Sequence, residues 1–172
     1  SNIQGGAIKS NTFTGIDRSV TALSSSLDIY DNTISSTTGI YGLEALSGTE
    51  LKMSYAGGLL VGGRNEITNS DSSSSNIYLE DSYFLMDEGE NILDIGNDGY
   101  HLYGWFPESY SGEYRERENC FKVNSSVVDP PIYYVTLGEQ GNQITDFIFT
   151  PYLSGCTQGG EGEMMVINLG ND

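Results

Sequence analysis

Positive charge is scarce in this chain. Its 172 residues carry 7 Lys plus Arg against 24 Asp plus Glu, a formal charge of −17. A surface of that sign repels phosphate backbones and anionic lipid, which speaks against nucleic-acid binding and against docking on an acidic bilayer. Long apolar runs are missing too. No stretch reaches the ~18 residues from which a membrane span is read, and no signal peptide is visible. There is no initiator Met, so the chain reads as a mature fragment or an excised domain. Sustained helical periodicity is absent from residues 1–106, and a βαβ sheet therefore lacks its crossover helices. Signatures of catalysis are also few. The chain has one His, no Asp-Asp pair, no Gly-x-Ser-x-Gly elbow and no phosphate loop.

What is present favours strands and turns. Gly (22) and Tyr (12) are abundant, and short apolar-alternating segments recur at 39–46, 50–55, 57–63 and 76–81, bounded by Gly or Ser. Asn11, Asn32 and Asn65 each precede a polar-apolar step: Thr12-Phe13, Thr33-Ile34 and Glu66-Ile67. Ser82-Tyr83-Phe84 reads as a weaker fourth copy. Repeated short strands with variable loops describe a parallel β-helix, in which each coil lies ~4.8 Å above the last. In that reading Asn11, Asn32 and Asn65 form a ladder. Each sits at a corner, where Asn leaves the extended region at low cost. Their amides bond along the column, and the Ile or Phe two residues on points inward. Residues 68–76 read as a solvated loop.

The carboxyl-terminal half carries a more specific pattern. Tyr103-Gly104-Trp105-Phe106 is an aromatic segment. Gly138-Glu139-Gln140-Gly141-Asn142 is a Gly-rich turn, and Ile144–Leu153 is a strand ending in Phe149-Thr150-Pro151-Tyr152-Leu153. This order resembles the closing end of bacterial right-handed β-helix repeat proteins, with Tyr152 at the usual Trp. The resemblance implies an all-β fold, a right-handed parallel β-helix with a C-terminal capping segment, at the end of a secreted or surface-attached solenoid. It implies no single activity, because one scaffold hosts many. The domain reading is coils over 1–106, an inserted loop and capping strand over 107–156, and a tail over 157–172. Phe147, Phe149, Tyr152 and Leu153 are expected to close the last coil. At the other end Ile3 and Ile8 begin the pattern with no evident cap, so an open strand edge is expected there.

Three sets of residues have chemistry to offer. Asp87, Glu88, Glu90, Asp94, Asn97 and Asp98 crowd twelve residues, and hard oxygen ligands on loops suit Ca²⁺. Asp87, Glu90, Asp94 and Asp98 are the candidate ligands, although the spacing is not an EF-hand and the first reading of the stretch is a solvated acidic edge that deters strand addition. Tyr100, Tyr103, Trp105, Phe106, Tyr110 and Tyr114 cluster next. Trp105 and Phe106 are expected in the core. Tyr110 and Tyr114, with His101 outward on the aromatic strand, are candidates to hold a polysaccharide. Cys120 and Cys156 either form a disulfide, as paired cysteines of exported proteins do, or remain two buried thiols. No residue is assigned a catalytic role.

The expected function is a non-catalytic extracellular or cell-surface domain for adhesion, display or assembly. A polysaccharide-binding or lyase-like module is the alternative. A subunit that stacks end to end through its open N-terminal coil, against another copy or domain, is the third possibility.

Overall fold

A short apolar strand cannot bury a face alone, but strands stacked in parallel share one dry interior. The computed structural model describes residues 4–15, 17–36, 39–54, 63–69, 75–95, 100–104, 111–117, 119–123, 133–137, 143–150 and 164–166. These hold strands in a repeating order of three. The first coil is β1 (Gln4–Lys9), β2 (Thr12–Thr14) and β3 (Arg18–Leu23). The second is β4 (Ser26–Tyr30), β5 (Thr33–Ser36) and β6 (Tyr41–Leu46). The third is β7 (Glu50–Lys52), β8 (Glu66–Asn69) and β9 (Ser75–Glu80). The fourth is β10 (Tyr83–Leu85), β11 (Ile92–Ile95) and β12 (Tyr100–Gly104). Then follow β13 (Ser111–Arg117), β14 (Cys120–Val123), β15 (Tyr133–Leu137), β16 (Gln143–Thr150) and β17 (Met164–Val166).

Pairing is parallel throughout, and each strand of the three long sheets pairs with the third one after it, except that β15 pairs with β17. One sheet runs β1-β4-β7-β10, a second β2-β5-β8-β11-β14, and a third β3-β6-β9-β12-β15-β17. The fold is therefore an all-β parallel β-helix. Residue 106 is not the end of the column, because β14, β15 and β17 extend two of its sheets. The segment expected as an inserted loop is partly strand, since its apolar steps pair in register with the coil before. β16, the expected capping strand, pairs with β13 in a separate two-stranded sheet. Tyr152 and Leu153 lie outside the described residues.

The interior is a set of vertical columns. Leu27, Leu51 and Phe84 stack in one. Phe13, Ile34, Ile67 and Leu93 stack in another, and Val20, Leu43, Ile77 and Leu102 in a third. From the second coil on, most of these side chains are wholly buried, whereas Phe13 and Val20 of the first coil are only partly covered.

Corner chemistry explains the repeat and corrects the sequence reading of it. Asn11, Asn32 and Asn65 do form a ladder, but its next rungs are Asn91 and Asn119. The sequence intervals are 21, 33, 26 and 28 residues. Ser82 is not a rung of it. Ser82 belongs to a second ladder at another corner, where the Ser25 N–H donates to Thr49 Oγ1 (3.4 Å) and the Thr49 N–H to Ser82 Oγ (3.1 Å). The left-handed residue is also not the Asn. It is the one before: Ser10, Asp31, Arg64 and Glu90 at the Asn corner, and Ser24, Gly48 and Asp81 at the other. One rule serves both corners: a left-handed residue, then Asn, Ser or Thr, then any residue, then an inward apolar one.

The Asn rung suits its place because an amide both accepts and donates. Asn65 Oδ1 accepts from the N–H and Nδ2 of Asn32 (3.2 and 3.0 Å). Asn65 Nδ2 donates to Asn91 Oδ1 and to the Ile29 carbonyl, both at 2.8 Å. Asn91 and Asn119 repeat the scheme, with Nδ2 donating to the carbonyls of Met53 (2.8 Å) and Met86 (2.7 Å). Every backbone N–H in the ladder donates toward the following coil, so the ladder has a direction.

The left-handed corner residues stay outside the ladder and tolerate substitution. Arg64, at φ 52°, pairs with Asp31 at 2.8 Å, and both side chains are partly solvated. An exposed pair contributes at most ~1 kcal/mol, and left-handed backbone costs a non-glycine residue about as much. Arg64→Gly is therefore expected to change stability by less than ~1 kcal/mol, measured by urea unfolding.

Candidate functional site

The outward face of the third sheet gathers side chains that no element carries alone. In β6 both Gly42 and Leu43 turn inward, since a Cβ on Gly42 would meet Ile67 Cγ2 at 2.7 Å and Leu43 is fully buried. Two consecutive inward residues leave Tyr41 and Glu44 pointing out on either side of them. Register then sets Thr21, Glu44, Tyr78 and Tyr103 in one outer row. Arg18 and Tyr41 begin the neighbouring row.

The rings of Tyr41 and Tyr78 stack at 4.4 Å with only 10° between their planes. Tyr103 follows at 5.8 Å from Tyr78, tilted by 33°. Arg18 caps the other end, its guanidinium 5.6 Å from the Tyr41 ring centre. Glu44 is only 4% exposed although it points outward. Its carboxylate is held by Arg18 at 3.3 Å and accepts from Thr21 Oγ1 at 2.8 Å. A stacked file covers its own ring faces, and it places one tyrosine on each of three successive coils.

Burial and neighbouring charge hold the Tyr41 and Tyr78 phenols in the neutral form. Burial raises the Tyr41 phenol most, followed by the Glu44 carboxylate, with Arg18 opposing. Tyr78 is pushed up to about 12, first by burial, then by Tyr41 and Glu80. An unfolded chain releases that proton near 10, so between pH 10 and about 12 the folded state keeps a proton the unfolded state has lost. The stabilisation from Tyr78 is complete below pH 10 and disappears as the pH rises to about 12. A titration of tyrosinate absorbance is expected to contain a late phenol that Tyr78→Phe removes. An unchanged profile in the variant would refute the assignment.

The residues singled out from sequence are placed differently. His101 is fully buried, not outward. Its neighbours Tyr100 and Leu102 pair with Ser75 and Ile77, which sets His101 beside the inward Asn76 at the same double-inward bend. It is therefore not on the saccharide-facing surface expected for it. Tyr110 lies outside the described residues, and of Tyr114 only the backbone, in β13, is described. Asp87 sits in a turn, Glu90 at a left-handed corner and Asp94 in β11, while Asp98 lies outside the described residues. Among the described residues no three His, Cys, Asp or Glu side chains converge to hold a metal ion. Cys120 is buried and disulfide-bonded. Cys156 lies outside the described residues.

Several structural and surface residues escaped the sequence reading. Asn91-Ile92-Leu93 and Asn119-Cys120-Phe121 obey the same Asn-x-apolar rule as the first three rungs, so that signal was available. Tyr41 and Tyr78 had no such signal, and Tyr103 was visible only as a member of the aromatic cluster, because the stacking depends on the register between coils.

Three parallel sheets wound in strict strand order, with hydrogen-bonded ladders at two corners, define a parallel β-helix protein. Compared with known proteins, the chain matches no family model, no curated protein and no solved structure. Among the described residues, no helix is long and apolar enough to cross a membrane.

Proposed function

We propose that this chain is a non-catalytic β-helical domain of an exported or cell-surface protein, and that it binds saccharide through the third sheet's outer face. The file Tyr41–Tyr78–Tyr103 supports the reading. Its rings follow one another at 4.4 and 5.8 Å, one per coil, so an extended chain of hydroxyl-bearing units would meet one tyrosine per coil. Tyrosine combines apolar area with a hydrogen-bonding tip and recurs at recognition surfaces. Exposure of Tyr103 at 38% leaves part of the file open to a ligand. The disulfide at Cys120 supports an oxidising compartment. A glycan array probed with the native chain and with the Tyr78→Ala/Tyr103→Ala double variant tests the reading. Loss of signal in a variant that still melts cooperatively is expected. Equal signal in both would overturn it.

The direction of the Asn ladder favours a second reading, assembly. Asn11 Oδ1 is the acceptor that a preceding rung would fill, and β1, β2 and β3 are the terminal strands of their sheets. In this reading the last coil of a second copy docks there, burying an open edge. Light scattering that rises with concentration would support it, and a constant monomer mass would remove it.

A further inference from the structure

We infer that the β3–β6–β9–β12 face accepts an amine-bearing polysaccharide in preference to a polyuronate. The inference rests on the saccharide-binding reading above and adds the charge of the ligand. Arg18 is the one cation among the described residues of these four strands. Glu44 holds its guanidinium at 3.3 Å, and the group lies over the Tyr41 ring. Among the described residues of these strands that leaves no uncommitted Lys or Arg to receive a uronate carboxylate. Lys9 lies in β1 and Lys52 in β7, both in the first sheet, Arg64 is tied to Asp31, and Arg115 and Arg117 of β13 and Lys122 of β14 belong to other sheets.

Glu80, by contrast, is an exposed carboxylate in β9, two residues beyond Tyr78 and on the same outward side. Its field is one of the influences that keep the Tyr78 phenol protonated. Protonated phenols can donate to saccharide oxygens, and the carboxylate can pair with an ammonium group on a neighbouring sugar. The chain as a whole, at −17, also draws cationic polymers toward it and repels anionic ones.

The test is isothermal titration of the whole chain with three probes: an amino-sugar oligomer carrying free amines, an uncharged β-glucan oligomer and polygalacturonate. The variants are Glu80→Gln, Glu66→Gln and Tyr103→Ala. Glu66 is an exposed carboxylate in β8, on another face, and controls for net charge. The amine-bearing oligomer is expected to bind tightest and to weaken at high salt. Its affinity should drop about fivefold in Glu80→Gln, as loss of one exposed ion pair implies, and remain unchanged in Glu66→Gln. Tyr103→Ala should reduce binding while leaving net charge the same. Equal losses in Glu80→Gln and Glu66→Gln would reduce the effect to bulk charge and overturn the inference. Tighter binding of the uncharged or the uronate oligomer, lost in Tyr103→Ala, would overturn the charge preference while sparing the saccharide reading. No binding of any probe would overturn both.

Discussion

Asn65→Ala is expected to destabilise the column by about 4 kcal/mol, from one orphaned buried donor and three further lost hydrogen bonds. The orphan is the buried Asn32 N–H, which donates to Asn65 Oδ1 at 3.2 Å. The bonds lost with it are those from Asn32 Nδ2 to Asn65 Oδ1 and from Asn65 Nδ2 to Ile29 O and to Asn91 Oδ1. At roughly 2–4 °C per kcal/mol for a chain of this size, the melting midpoint should drop by about 8–16 °C. Asn65→Asp should be at least as damaging, because a carboxylate accepts but cannot donate, and its oxygen would face Asn91 Oδ1. That variant should regain stability in acid, where a protonated carboxyl again offers a donor. Asn11→Ala is the control. Its side chain is exposed at the first rung, and its loss should cost less than ~1 kcal/mol. Equal midpoints for the Asn65 and Asn11 variants would show that the ladder contributes nothing beyond ordinary surface polarity.

Gly104→Ala is expected to cost at least about 3 kcal/mol, combining backbone strain with overpacking. Gly104 has φ 127°, a conformation L side chains rarely adopt, and a Cβ there would run into the backbone of Leu79 in the preceding coil. The neighbour is main chain inside a parallel sheet, so it cannot move aside without breaking the β9–β12 pairing. Gly48 separates the two contributions. It has φ 77° but open space where a Cβ would go, so Gly48→Ala should cost only the strain, about 1 kcal/mol. Urea midpoints for the two variants measure the difference. A Gly104 variant as stable as the Gly48 variant would mean the two coils are not packed as described.

The fold was legible because its local requirements are written in short range. A position that tolerates left-handed backbone, then a small amide or hydroxyl, then an apolar residue two on, is readable in Asp31-Asn32-Thr33-Ile34 and in Asp81-Ser82-Tyr83-Phe84 alike. The sequence reading found both and merged them, because nothing local says which corner a rung occupies. The interval from Asn32 to Asn65, at 33 residues, and from Asn65 to Asn91, at 26, depends on loop lengths that vary between coils. Asn91 falls inside the acidic stretch 87–98, where its neighbours draw attention as metal ligands rather than as a corner. The left-handed burden fell on Asp31, Arg64 and Glu90 rather than on the Asn, since the amide must stay turned inward to reach the next rung.

The candidate site was much less legible. His101 lies in an aromatic run and suggested an outward strand position. Its burial follows from the double-inward bend shared by Gly42-Leu43 and Asn76-Ile77, which places it inside. Tyr41, Tyr78 and Tyr103 are far apart in the chain and become a file through the pairing of β6, β9 and β12.

The amino-acid sequence alone determined the strands, the corners and the inward apolar residues, because alternation and backbone preference act over a few residues. Tertiary structure decided which Asn follows which in the ladder, which side of the bend His101 takes, and which tyrosines share a face. Those depend on hydrogen-bond register between coils, and register is a long-range property in which shifting one strand changes every outward neighbour at once.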